Sequence, residues 1–382
     1  MRITRRAGGG LAALILGMAL AAIPTQALAA PVPCNVPALQ AAIVAANGSP
    51  NGGTIDLAPN CVYSVTDAEA IGDNAMPIIT NNITINGFNS TIQRDPAAAT
   101  NFRIFQVDGS TGRLTLNRVT VRNGHSVDGG GIRVNPGGTL ILNAATDVRE
   151  NEADGIGGGI LNDGTVFLNP GSRVTDNEAG AGGGGIINRA ALTARSATVS
   201  ENRGASGGGI FNTTTGTLDL RTSTVSLNRA TVDNGGGIVN GNEATLTSTV
   251  VSGNTAVNRA GGFFNFSFAS ATINSGRISD NEADNLGGGL YNAGTLNVNQ
   301  TTVRANHVTV PAATSHGGGL YNETGTTTFT SSNVYQNTVA PPGDGGGIYE
   351  EPGSTVTLVT SSVFSNTPDN CRPPGAVPGC SG

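Results

Sequence analysis

Carboxylates crowd one short region of an otherwise charge-poor chain. Glu150 and Glu152, Asp176 and Glu178, and Glu201 sit beside asparagines that recur at intervals of 25 or 26 residues. If those segments stack as neighbouring strands, equivalent residues lie about 5 Å apart. Five acids so placed repel one another, which raises some pKa values unless a cation sits among them. Three kinds of chemistry fit: a Ca²⁺-binding corner, a carboxylate pair at the separation a retaining glycosidase uses, or a solvated corner partly neutralised by Arg149 and Arg203.

The three histidines offer less. His307 and His316 bracket the longest corner loop, "HVTVPAATSH", and form a candidate two-histidine metal pair. His125 lies seven repeats away, about 34 Å along a stacked axis, so all three cannot share one ion. Aromatic residues gather in another repeated position. Reading the residue before the asparagine in GGG-I-x-N gives Leu161, Ile187, Phe211, Val239, Phe264, Tyr291, Tyr321 and Tyr349. If Ile210 and its equivalents point inward, alternation sends this column outward. Phe211, Phe264, Tyr291, Tyr321 and Tyr349 are then a candidate glycan platform, a second small core under the corner loops, or an oligomer contact.

The elements that must position these residues are written as two recurring landmarks. The first is "GGGILN" (157–162), "GGGIIN" (183–188), "GGGIFN" (207–212), "GGGIVN" (235–240), "GGFFN" (261–265) and "GGGLYN" (287–292 and 317–322). The second is an aliphatic three residues before an asparagine, from "VREN" (148–151) to "VFSN" (363–366), with spacings of 25 to 31 residues. Such a period means stacked supersecondary units. Within a unit the period is two: Leu218 and Leu220 alternate with Thr217, Asp219 and Arg221, as in a strand with one buried face. Three short strands per turn, each parallel to its copy in the next, define an all-β, single-stranded, right-handed parallel β-helix of about twelve coils. Leucine-rich repeats share the period and an asparagine, but need a helical or extended convex segment where this chain has GGG and threonine-rich strands. Asn151, Asn177, Asn202, Asn228, Asn254, Asn281 and Asn306 are expected to form one internal ladder, amide on amide. At about 4.8 Å per coil the tube is about 55–60 Å long.

The ends read differently. Arg2, Arg5 and Arg6, the apolar run 11–22 and Ala27-Leu28-Ala29 mark residues 1–29 as a cleaved signal peptide. Residues 30–53 hold a capping helix and linker, with Leu39, Ile43 and Ala46 on one side of "PALQAAIVAAN". The β-helix follows over 54–370, and residues 371–382 form a tail. Four cysteines allow three pairings, and proximity favours Cys34–Cys61 and Cys371–Cys380, one staple at each end of an exported chain. All 20 basic residues are arginine; taking away the three in the leader leaves 17 against 26 acids. That balance argues against nucleic acid or an anionic membrane surface as a partner, and no second hydrophobic span follows the leader.

The paired landmarks resemble the repeats of polymorphic outer-membrane proteins and other pectate-lyase-like right-handed β-helix proteins. The opening "CNVPALQAAIVAANGSPNGGTIDLAP" resembles bacterial extracellular β-helix proteins whose mature chain begins Cys-Ser-Leu-Arg-Glu. The resemblance implies a right-handed coil and a secreted or cell-surface setting, but no one reaction, because the fold hosts lyases, hydrolases and adhesins alike. The polygalacturonase signatures Asn-Thr-Asp, Asp-Asp and Gly-His-Gly do not occur, and there is no tryptophan. The expectation is a secreted binding module for polysaccharide or cell-envelope material, with no cofactor beyond the candidate Ca²⁺. Its rivals are a polysaccharide lyase or hydrolase using the acidic corner, and a structural spacer.

Overall fold

The alternation of aliphatic and polar residues becomes a parallel β-solenoid of twelve turns, seen in a computed structural model that describes residues 30–68 and 73–381. The expected leader, residues 1–29, lies outside those described. The coil containing Gly207–Asn228 shows the plan. Ile210–Asn212, Thr217–Arg221, Thr224–Ser226 and Arg229–Ala230 are its strands, and every one pairs in parallel with its copy one turn on. Register is kept residue for residue: Leu218 faces Ala244, and Ile210 faces Ile238.

One point differs from the sequence reading. From Thr139 onward the turns carry four strand segments rather than three, because a left-handed residue breaks the long side in two; in the two turns before, that side is one strand, Asn82–Arg94 and Arg113–Arg122. Thr222 makes the break at φ 48°, and Ser196, Ser248 and Ser275 occupy the same corner at 45°, 50° and 52°. The two segments it joins belong to a single 22-stranded sheet, while the shorter segments build sheets of nine and eleven strands.

The glycine run has a steric cause. Gly207 sits at φ +60°, where a Cβ is disfavoured. A Cβ on Gly208 would stand 2.5 Å from the carbonyl oxygen of Arg229 in the next coil, so neighbouring backbones could not close.

Inside the tube Ile210, Leu220 and Val225 are fully buried among their copies above and below. The expected ladder forms at the corner before the nine-stranded sheet. Each amide from Asn151 to Asn281 donates to the next at 2.9 Å, and the series runs on through Asn306 and Asn337 to Asn366. A second buried ladder joins Asn162, Asn188, Asn212, Asn240, Asn265, Asn292 and Asn322 at 2.7–2.9 Å. These are the asparagines of GGG-I-x-N.

Both ends are closed. The helix Val36–Gly48, capped by the Asn35 side chain on Ala38 N–H at 2.9 Å, buries Leu39, Ile43 and Ala46 over the first coil. At the other end Val377 is buried on the last coil, held by the Cys371–Cys380 disulfide; Cys34–Cys61 ties the first. The tail is continuous with the solenoid, since Cys371–Arg372 pairs with Ile348–Tyr349.

Candidate functional site

The five acids stand in two columns on either side of the ladder asparagine. Glu152 and Glu178 are register partners, and the next residue in their column is Arg203. Glu150, Asp176 and Glu201 occupy left-handed corners at φ 54°, 55° and 61°. Arginines answer most of this charge: Arg149 and Arg122 lie 2.6 and 3.5 Å from Glu150, and Arg203 lies 3.2 Å from Glu178. All five side chains face solvent at least in part.

The structure groups a different set, which the sequence reading did not assemble. His125 lies in register with Glu152, and its Nε2 is 2.9 Å from Asp154 while Nδ1 is 3.6 Å from Glu152. Ligand atoms of the three fall within 4.8 Å of one another. One imidazole nitrogen and two carboxylates suit a borderline ion such as Zn²⁺ better than Ca²⁺, which takes oxygen ligands. His125 is far from the other histidines along the chain, and it is its strand partner Glu152 that brings carboxylates to it.

The two loop histidines part company. His307 bonds Thr338 at 2.7 Å, whereas His316 stacks on Tyr349 at 4.0 Å and pairs with Asp344 at 2.5 Å. They do not form a metal pair.

The aromatic column is the main correction to the candidate platform. Tyr291 is fully buried, and Phe264 and Tyr321 nearly so, in a second core with Val239 and Ala260 that Phe211 and Tyr349 border. Alternation does turn these residues out of the first core, as expected. The loops that follow the nine-stranded sheet then fold over them. Phe264, Tyr291, Tyr321 and Tyr349 make one continuous stack, with ring centres 4.6, 5.3 and 5.5 Å apart. Arg259 bonds the Tyr291 hydroxyl at 2.8 Å, and Tyr321 donates to Glu351. Burial pushes the Tyr291, Tyr321 and Tyr349 phenols above the ordinary tyrosine range; for Tyr321 the neighbouring Glu351 carboxylate adds to the rise.

What remains open is the outer face of the five-residue strands. In the last four coils its outward residues are Ser270, Thr272 and Asn274; Thr295, Asn297 and Asn299; Thr326, Thr328 and Thr330; and Thr355, Thr357 and Val359, all in register. None is charged. The hydroxyls of Thr272, Thr328 and Thr357 have no protein partner among the described residues. Rungs repeat every ~4.8 Å, and residues two apart on a strand lie ~6.8 Å apart. In the early coils the same face carries an outward ladder, Asp56–Asn86–Asn117–Asn143–Asn169, at 2.6–2.8 Å.

Two exposed phenylalanines flank this face. Phe88, 42% exposed at φ 48°, borders a cleft of about 400 Å³ with Asn86, Asn117, Arg118 and Asn143. Phe268, fully exposed at φ 67°, borders another of about 420 Å³ with Phe211 and Phe266. Sequence reasoning missed both, although "FFNFSF" places two phenylalanines in a turn whose counterparts after Asn162, Asn188, Asn212, Asn240, Asn292 and Asn322 carry none.

The fold and its two internal asparagine ladders define the class: a parallel β-solenoid of about twelve turns. No family model, no curated protein and no solved structure matches the chain. Among the described residues no helix is long and apolar enough to cross a membrane.

Proposed function

We propose that this chain is an extracellular binding module that holds neutral polysaccharide along the outer face of its five-residue strands. The observation that carries the reading is the run of twelve outward positions over 270–359 with no charge, in register from rung to rung. A polymer of repeating sugars meets the same hydroxyl and amide groups at each rung, on a sheet too regular to need reordering on binding. A formal charge of −6 disfavours anionic polymers and leaves neutral ones. Two disulfides suit an oxidising compartment, as does the leader pattern. The likeness of the repeats to pectate-lyase-like β-helix proteins supports the same setting. Binding is favoured over cleavage, because arginines already engage the acidic corner's Glu150 and Glu178.

The test is retention of the mature chain on insoluble neutral polysaccharides, with product analysis alongside. Thr272→Lys and Thr328→Lys place long charged side chains on half-buried, outward-facing strand positions and are expected to abolish retention while leaving the fold intact. Equal retention of wild type and variants refutes the face as the binding surface, and released oligosaccharides refute the non-catalytic reading.

A further inference from the structure

The turn Phe266-Ser267-Phe268-Ala269 is closed by an Ala269 N–H to Phe266 carbonyl bond of 3.2 Å. The same turn occurs at Asn135-Pro136-Gly137-Gly138 and at Glu351-Pro352-Gly353-Ser354, closed at 2.9 and 3.0 Å. In those copies the third residue is glycine, at φ 86° and 94°. Phe268 takes that place at φ 67°, with its ring entirely in solvent. A Cβ in the left-handed region costs about 1–2 kcal/mol, and the exposed ring recovers nothing by packing. Folding therefore gains nothing from Phe268. Left-handed non-glycine residues recur throughout the solenoid, at Thr222 and Ser248 among others; Phe268 is set apart by the large apolar ring it leaves fully exposed.

What surrounds the ring states the ligand's chemistry. The cleft of about 420 Å³ lies within the range of small-molecule sites. Its apolar wall is Phe211, Phe266 and Phe268; Phe266 is itself fixed by edge contact with Phe264 at 4.8 Å. Its polar rim is Thr213, Thr214 and Ser267, and the Thr214 and Ser267 hydroxyls have no protein partner among the described residues. A ligand with apolar faces and hydroxyl edges, and without charge, satisfies both surfaces; that is a neutral pyranose. Ser270, the first outward residue of the strand face, follows Phe268 by two positions, so the cleft opens at the edge of that face.

We infer that Phe268, with Phe266 and Phe211, forms an aromatic clamp that grips one or two sugar rings of a neutral polysaccharide. The clamp rests on the polysaccharide reading above and supplies its strongest contact.

Phe268→Gly and Phe268→Tyr separate the outcomes. Retardation in native gels containing soluble β-glucan, galactomannan or xylan reads binding, sedimentation velocity reads self-association, and a thermal scan reads folding. The clamp predicts that Phe268→Gly melts higher than wild type yet binds about tenfold more weakly, while Phe268→Tyr binds as wild type. If Phe268→Gly binds unchanged while Thr328→Lys does not, the clamp is wrong and the face reading survives. If wild type passes every gel unretarded, both are wrong. If Phe268→Gly only abolishes a wild-type dimer, the phenylalanines hold a second copy and the clamp is again wrong.

Discussion

The side-chain amide of Asn202 donates to the amide oxygen of Asn228 at 2.9 Å, and the backbone N–H of Asn202 reaches that same oxygen at 3.0 Å. Asn228 in turn donates to the carbonyl of Val199 at 3.0 Å. One buried oxygen thus satisfies two donors of the coil before it. Asn228→Ala leaves those donors dry and removes a donor from the Val199 carbonyl. The expected cost is about 1–3 kcal/mol, read as a lower midpoint in chemical unfolding. An unchanged midpoint would mean that water fills the corner and that the ladder is not what holds successive coils together.

The second core makes a separate prediction. Tyr291 has Phe264 stacked on one side at 4.6 Å and Tyr321 on the other at 5.3 Å, with Arg259 at its hydroxyl. Tyr291→Ala opens a cavity in the middle of the stack and takes the hydroxyl from Arg259, leaving it Glu323 at 3.7 Å. Emptying a buried aromatic site costs about 3–5 kcal/mol. Tyr291→Phe keeps the stack and loses only the hydroxyl contact, so it should lose far less. Equal losses from both variants would place the stability in the Arg259 bond instead of the ring.

The acidic corner is expected to give no saturable heat with millimolar Ca²⁺. Arg203 engages Glu178, Arg122 and Arg149 engage Glu150, and His125 engages Glu152. A calcium ion would have to displace three arginine–glutamate pairs and the His125–Glu152 contact to gather its oxygens. Calorimetry on wild type and on the Glu152→Gln, Glu178→Gln double variant decides the matter. Saturable heat lost in the double variant would restore the corner as a calcium site.

Much of the fold was legible because each coil repeats the same local instructions. Alternation at Leu218 and Leu220, the glycine triplet and the asparagine spacing agree with one another in nearly every turn, so errors in one coil are corrected by the next. The helix was legible as well, down to Leu39, Ile43 and Ala46. The site was not. Alternation tells inside from outside at Tyr291, but it carries no information on whether the 284–286 and 309–316 segments fold back across that outside. Nor does a one-dimensional reading show that His125 and Glu152 share a register when the landmark strings around them differ. Phe268 went unread because its meaning lies in the glycines it replaces, which only superposed turns reveal.

Alkaline pH probes the second core without mutation. Burial raises the phenols of Tyr63, Tyr291, Tyr321 and Tyr349, four of the five tyrosines in the chain. In the unfolded chain each titrates near pH 10. A group whose folded pKa is raised adds stability that is complete below the unfolded value and is lost as pH climbs through the folded one. Stability should therefore hold to about pH 10 and fall steeply beyond it, since the unfolded state sheds protons that the folded state keeps. Ultraviolet absorbance of tyrosinate should show most phenols silent until the fold gives way, then a joint rise coincident with loss of the β-sheet circular dichroism signal. Tyr321→Phe removes one of the two most strongly shifted phenols and should move that collapse to higher pH. A smooth titration of all five phenols, finished before the circular dichroism changes, would show that the loops over the column open in the native state.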